Sequence, residues 1–201
     1  MKTLLLTGFE PFLNNPINPT QDIVKALHSK IIGEYRIEGR IIPVDFHNSA
    51  TNLIESYNEI FPDAVIMLGL AAGRRCITPE RIGINCNDGA SDNGGFKPED
   101  QLIDEEGPAG YFSTLPIRCF VNKLNGIGLP GEISNSAGTY LCNNVMYSML
   151  NFLTKSGRHI PAGFVHVPAS HELVLLAKTP MPSWSTIDLV RGIDACISVL
   201  D

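Results

Sequence analysis

The sequence predicts an α/β protein: a single-domain α/β/α sandwich with a mostly parallel, twisted central sheet flanked by helices. Three observations carry this expectation. Strand-length apolar runs alternate with segments whose apolar residues recur at helical spacing. The run Ala64-Val65-Ile66-Met67-Leu68-Gly69 is apolar throughout, as in a strand buried on both faces. Finally, 201 residues with 44% hydrophobic content are enough to fill one core, at roughly 150 residues per domain.

Leu4-Leu5-Leu6-Thr7-Gly8 reads as a buried strand. A Pro- and Asn-rich loop from Pro11 to Pro19 follows, after which Ile23, Val24 and Leu27 mark a helix. Tyr35 to Val44 is a second strand, Ala50 to Ile60 a helix and Ala64 to Gly69 a third strand. From Gly69 to about Pro108 the composition turns to Gly, Asn, Asp and Pro, and only Arg81-Ile82-Gly83-Ile84-Asn85 alternates. This is a long loop region with room for a hairpin, of the kind that in compact domains is usually either functional or disordered. Helices are expected over Ile117 to Leu124, Ala137 to Leu153 and Thr186 to Leu200, and a strand over Ala162 to Val167. Gly126-Ile127-Gly128-Leu129-Pro130-Gly131 satisfies GxGxxG, yet it follows a helical pattern and contains Pro130, so it reads as a turn and not a dinucleotide site.

Charge and cysteine usage exclude several function classes. The 15 basic and 21 acidic residues leave a net charge of −6 with no basic run, which would repel a phosphate backbone and argues against nucleic acid. The apolar start is ended by Gly8 and Glu10 before a signal-peptide core develops, and no segment approaches the ~18 apolar residues of a membrane span. A cytoplasmic protein without membrane contact is expected. Cys76, Cys86, Cys119, Cys142 and Cys196 are scattered and odd in number, with no CxxC pair, which points away from disulfides and from a metal site.

One cysteine stands apart. In Ser134-Asn135-Ser136-Ala137-Gly138-Thr139-Tyr140-Leu141-Cys142-Asn143-Asn144, small polar residues lead into a thiol just as a helical pattern (Leu141, Val145, Met149, Leu150) begins. Ser134, Ser136 and Thr139 are candidate N-caps. In the first turn, the helix dipole and free N–H groups favour a thiolate and could receive an oxyanion. A packed core thiol fits this helix equally well, so partners must decide. A thiol nucleophile needs a base and the base an orienting group. Among five histidines, His166 lies near the C-terminal end of the buried strand Gly163-Phe164-Val165-His166-Val167, where open α/β sheets gather their sites. His28, His47 and His159 read as surface residues, and His171 as a weaker candidate. Glu80, in Thr78-Pro79-Glu80-Arg81, is the candidate orienting acid.

At this point the sequence resembles the pyroglutamyl peptidase I family of cysteine peptidases, nearly end to end. The matching stretches are Gly8-Phe9-Glu10-Pro11-Phe12 with Asn18-Pro19, Ala71 to Arg74 with Ile77-Thr78-Pro79-Glu80-Arg81 and Ile84-Asn85, Ser134 to Asn143, and His166-Val167-Pro168. The resemblance implies Cys142 as nucleophile, His166 as general base and later proton donor, and Glu80 as the group holding the imidazole. It implies hydrolysis of an N-terminal pyroglutamyl residue from peptides through a thioester. Phe9 and Phe12 would sandwich the lactam ring, and Asn18, the backbone of Leu70, and Tyr140 with Leu141 would complete the pocket. No cofactor is implied, and a homo-oligomer, dimer or tetramer, is.

The chain also departs from the family's pattern. Leu13-Asn14 follows Pro11-Phe12 where the family has glycines, Leu70 replaces a common Gln, and Ala72 a Gly. Asp88-Gly89-Ala90-Ser91-Asp92-Asn93 is one residue shorter than a segment that usually carries an Arg, an apolar residue and Pro. The alternative function is a non-catalytic relative that binds a pyroglutamyl or other lactam ligand. A phosphorylase of similar fold finds no basic phosphate cluster here beyond Arg74-Arg75.

Overall fold

In the computed structural model, which describes residues 1–13, 15–177 and 180–200, sixteen elements follow one another. They are β1 (Lys2–Phe9), α1 (Pro19–Leu27), β2 (Ile31–Ile32), β3 (Tyr35–Ile42), α2 (Ser49–Ile60), β4 (Ala64–Leu70), β5 (Thr78–Pro79) and β6 (Ile82–Ile84). After these come β7 (Gly110–Phe112), α3 (Ile117–Gly126), α4 (Leu141–Lys155), β8 (Ala162–Val167), β9 (Ala169–Ser170), α5 (His171–Leu176), β10 (Ser183–Trp184) and α6 (Thr186–Ile197).

Six strands form one sheet in the order β2-β3-β1-β4-β8-β5. The four central strands are parallel, and the short edge strands β2 and β5 run antiparallel to their neighbours. Side chains alternate across this sheet. Leu4, Leu6, Ile66, Leu68, Val165 and Val167 pack with Ile23, Leu27, Phe120, Leu124, Leu189 and Ile193 of α1, α3 and α6. On the opposite face Leu5, Val65, Met67 and Phe164 meet Leu53 and Tyr57 of α2 and Val145, Met146 and Met149 of α4. The expected sandwich with a mostly parallel sheet is therefore what the sequence forms.

Several boundaries move for identifiable reasons. β3 stops at Ile42 because Pro43 has no N–H for the ladder, and the next amide, of Val44, turns to Glu10 Oε1 at 3.0 Å. α6 ends at Ile197, its last residues tightening into three-residue turns onto Cys196 and Ile197. The helix expected from Ala137 starts only at Leu141. Gly138 lies at φ +78°, and the amide of Asp88 takes the Thr139 carbonyl while the Thr139 hydroxyl takes that of Asp88. These bonds hold the approach to Cys142 in a non-helical path.

In the long loop, Ile82–Ile84 pairs antiparallel with Gly110–Phe112, so the alternation at Arg81 to Asn85 does mark a two-stranded ribbon. The GxGxxG stretch is the turn that leaves α3, with Gly128 at φ +78°. From it the chain runs beside β5, through single bridges between Ile77 and Gly131 and between Glu80 and Ser134. That pairing delivers Ser134 to Gly138 to the C-terminal end of the sheet.

Candidate active site

β4 and β8 end side by side, with Gly69 in register with His166. Residues of one parity share a face, so Gly69 and His166 both belong to the side covered by α2 and α4. On the other side of β8, Thr78 pairs with His166, and the amide of Glu80 donates to Phe164 O at 2.9 Å. Glu80 therefore enters the interior next to the imidazole. Glu80 is 0% exposed and His166 5%.

The contact between them is short: His166 Nδ1 and Glu80 Oε1 are 2.7 Å apart. Burial opposes ionisation of Glu80, but the hydrogen bond and charge of His166, with help from Ser134 and Arg74, outweigh it and hold the carboxyl below its usual range. An ionised carboxylate can only accept, so Nδ1 carries the proton and Nε2 is left as the basic nitrogen. Burial pushes His166 below its ordinary value, against the opposite pull of Glu80, so the ring rests neutral.

Cys142 is the second residue of α4. Tyr140, at the N-cap position, has extended backbone and makes no side-chain cap; the expected caps Ser134, Ser136 and Thr139 do not serve this helix. The first-turn N–H groups of this helix therefore take no side-chain cap. Asn143 anchors the turn, its Oδ1 accepting from the Ile84 amide and its Nδ2 donating to Ile84 O and Cys86 O, at 2.8 to 2.9 Å. The sulfur sits against Gly69: a Cβ built there would lie 2.8 Å from Cys142 Sγ. Burial, followed by the charge of Glu80, pushes this half-buried thiol up to about 12, with Arg74 pulling the other way, so burial and Glu80 oppose the pull of the helix start towards a thiolate.

Next to the thiol, Phe9, Phe12, Val44, Leu70, Tyr140 and Leu141 line a narrow apolar hollow. Five of the six residues expected to contact substrate are brought together there. Asn18 is not among the lining residues: its Oδ1 accepts from the Thr20 amide at 3.1 Å as the N-cap of α1, and its Nδ2 donates to Glu10 O at 3.1 Å. Asn18 shapes the loop that carries Phe9 and Phe12.

A profile of the pyroglutamyl peptidase family matches residues 1–201. The pyrrolidone-carboxylate peptidase of Oceanobacillus iheyensis is 51% identical over 201 residues, covering 100% of both chains. Pyroglutamyl peptidase I of Bacillus amyloliquefaciens superposes with a TM-score of 0.96 at 34% identity, over 100% of this chain and 97% of that one. The pyrrolidone carboxyl peptidase of Thermococcus litoralis gives 0.96 at 39% identity, over 100% and 93%. The chain belongs to the pyroglutamyl peptidase family.

In this chain the departures from the family pattern acquire surroundings. Leu70 turns to the opposite face from Gly69 and clusters with Ala169 and Leu173, against which Phe12 packs. The shortened segment is stitched to the hollow: Tyr140 Oη donates to Ser91 O at 3.0 Å, and Asn93 Nδ2 reaches both Glu10 Oε1 and Pro11 O at 2.9 Å. Asp92 adds bonds from the amides of Phe46 and Phe96. Asn14 lies outside the described residues. Sequence reasoning missed Arg74, whose guanidinium is 2.7 Å from Glu80 Oε1. The available signal was its place in the Ala71 to Arg74 stretch that resembles the family. Gly69 was missed as well, since a glycine closing a buried strand carries no chemistry of its own.

Proposed function

We propose that residues 1–201 form one catalytic domain, a cysteine peptidase that hydrolyses the N-terminal pyroglutamyl residue from peptides. The observation that carries this reading is the buried 2.7 Å contact of His166 Nδ1 with Glu80, at a strand end shared with the thiol of Cys142. In this reading Cys142 is the nucleophile, His166 the general base and Glu80 the orienting carboxylate. Phe9, Phe12, Leu70, Tyr140 and Leu141 contact the substrate, with Asn18 supporting them.

The lactam ring is small, uncharged and planar in part, which suits an apolar hollow with aromatic walls. With thiol and imidazole both neutral at rest, attack and proton transfer go together. Cys142 Sγ bonds to the acyl carbon as its proton passes to His166 Nε2. Glu80 stabilises the imidazolium that forms, and first-turn amides of α4 take the oxyanion. His166 then protonates the leaving amine as the C–N bond breaks, leaving a pyroglutamyl thioester and the shortened peptide. Water, deprotonated by the same nitrogen, adds to the thioester; the C–S bond breaks, the thiol recovers its proton and pyroglutamate leaves.

The free thiols at all five cysteines suit a reducing compartment such as the cytoplasm. Exposed Leu175, Leu176 and Ile187 around α5 and α6 offer apolar surface for a dimer or tetramer.

Release of naphthylamine from pyroglutamyl-β-naphthylamide tests the activity. Iodoacetamide is expected to block it, and Cys142→Ser and His166→Ala each to lower kcat by at least about 10³-fold. Hydrolysis that survives Cys142→Ser would overturn the nucleophile. Tight binding of pyroglutamyl peptides without turnover would make the chain a lactam-binding relative instead.

A further inference from the structure

We infer that Arg74 is a positioning residue for the proton acceptor, a fourth member of the chain Cys142, His166 and Glu80 that holds the carboxylate in direction and charge. The inference rests on the functional reading above. Arg74 Nη1 lies 2.7 Å from Glu80 Oε1 and 2.6 Å from Thr78 Oγ1, and Nη2 lies 3.4 Å from Ser136 O. The oxygen it meets is the same one that receives His166 Nδ1. One carboxylate oxygen thus joins two donors, and both bonds are charge-assisted. The guanidinium also spans two segments that must stay in register: Thr78 on β5 pairs with His166, and Ser136 belongs to the approach to Cys142.

Placement shows why a cation is needed there. Glu80 is wholly buried, and Arg74 is a cationic partner that meets its ionised carboxylate beside the imidazole. Arg74 side-chain atoms are 34% exposed, so the guanidinium keeps part of its hydration on the groove shared with Gly73, Arg75, Cys76 and Glu132 while its other edge meets the carboxylate. The groups facing His166 are Glu80 beyond β5, Arg74 in the β4–β5 turn and Cys142 on α4. The field of Arg74 disfavours the imidazolium and favours the thiolate, opposite to Glu80 in both respects. Removing it leaves the charge of Glu80 unbalanced, and the imidazole then holds its proton to higher pH.

Arg74→Met keeps the stem and deletes the fork; Arg74→Lys keeps the charge. In Arg74→Met, kcat/KM is expected to fall about 10- to 100-fold at neutral pH, with the acid limb of its pH profile displaced upward. Arg74→Lys should return the limb towards the wild-type position, and Arg75→Met, on the exposed neighbour, should not move it. In a Glu80→Gln background Arg74→Met should cost little more, because both changes cut one linkage. Titration of the His166 ring followed by NMR reads the same displacement without substrate. A displaced titration in a chain that hydrolyses no pyroglutamyl substrate would refute the function and keep the inference. Active enzyme whose limb and titration are unmoved in Arg74→Met, or whose losses add fully with Glu80→Gln, would reduce Arg74 to a structural tie and overturn it.

Discussion

Gly69 stands where it does because two side chains occupy the space a methyl would take. A Cβ there would come within 2.6 Å of Phe164 Cζ and 2.8 Å of Cys142 Sγ. Phe164 is fully buried in the face packed by α4 and cannot retreat. The sulfur, at the start of a helix and beside the hollow, is the atom that moves. Gly69→Ala is therefore expected to lower kcat/KM by about 10²-fold or more, since a displacement near 1 Å costs that much in a positioned reaction. It should cost only about 1–3 kcal/mol of stability. Melting curves beside steady-state rates check the split, and an active Gly69→Ala enzyme would mean that sulfur and imidazole tolerate a different spacing. The glycine does for geometry what Glu80 does for the proton, and neither role is visible in residue type alone.

At the scale of elements, the site is assembled from pieces whose local signals differ in strength. The long buried strands and amphipathic helices were legible because hydrophobic burial writes a period into the sequence, and His166 at a strand end was legible for the same reason. β5, β9 and β10 have two residues each and no period to read, although β5 carries Glu80 into place. The start of α4 was misplaced because small residues at 136–138 do not oppose a helix by themselves. The long-range bonds between Thr139 and Asp88 decide it. The same segment ties the hollow together through Asn93, which joins Glu10 and Pro11 across more than 80 residues. Cutting that latch should loosen the loop bearing Phe9 and Phe12 without touching the thiol or imidazole. We expect Asn93→Ala to raise KM about 5- to 50-fold with kcat nearly unchanged, in line with two lost hydrogen bonds, one to a carboxylate. A fall in kcat at constant KM would show instead that the latch acts on the reacting groups.

Across the whole molecule, the buried ionisable groups set limits to the pH range in which this fold is stable. His166 is depressed by burial from 6.5, so below that pH the unfolded chain takes up a proton more readily than the folded one. Its contribution is present above 6.5 and is lost as pH falls through the folded value. Glu80 is also lowered, from 4.5, the pull of His166, Ser134 and Arg74 exceeding the effect of burial; its contribution disappears at still lower pH, so both groups make acid destabilising. The thiols run the other way. Burial raises Cys142 from 9.0 to about 12 and Cys196 further, so the stability tied to their protonated forms is complete below 9.0 and is lost as pH climbs through the folded values. Tyr140 and Tyr147, raised from 10.0 to about 12 by burial, add to the same alkaline loss. The melting temperature should then form a plateau between about 6.5 and 9, fall on both sides, and fall less steeply above pH 9 in Cys142→Ala, which removes one titrating thiol without adding a charge. A wild-type curve that is flat from pH 9 to 11, or one whose alkaline slope is unchanged by Cys142→Ala, would show that this thiol ionises in the native state as easily as in the unfolded chain, and the neutral resting pair would have to give way to a thiolate and imidazolium.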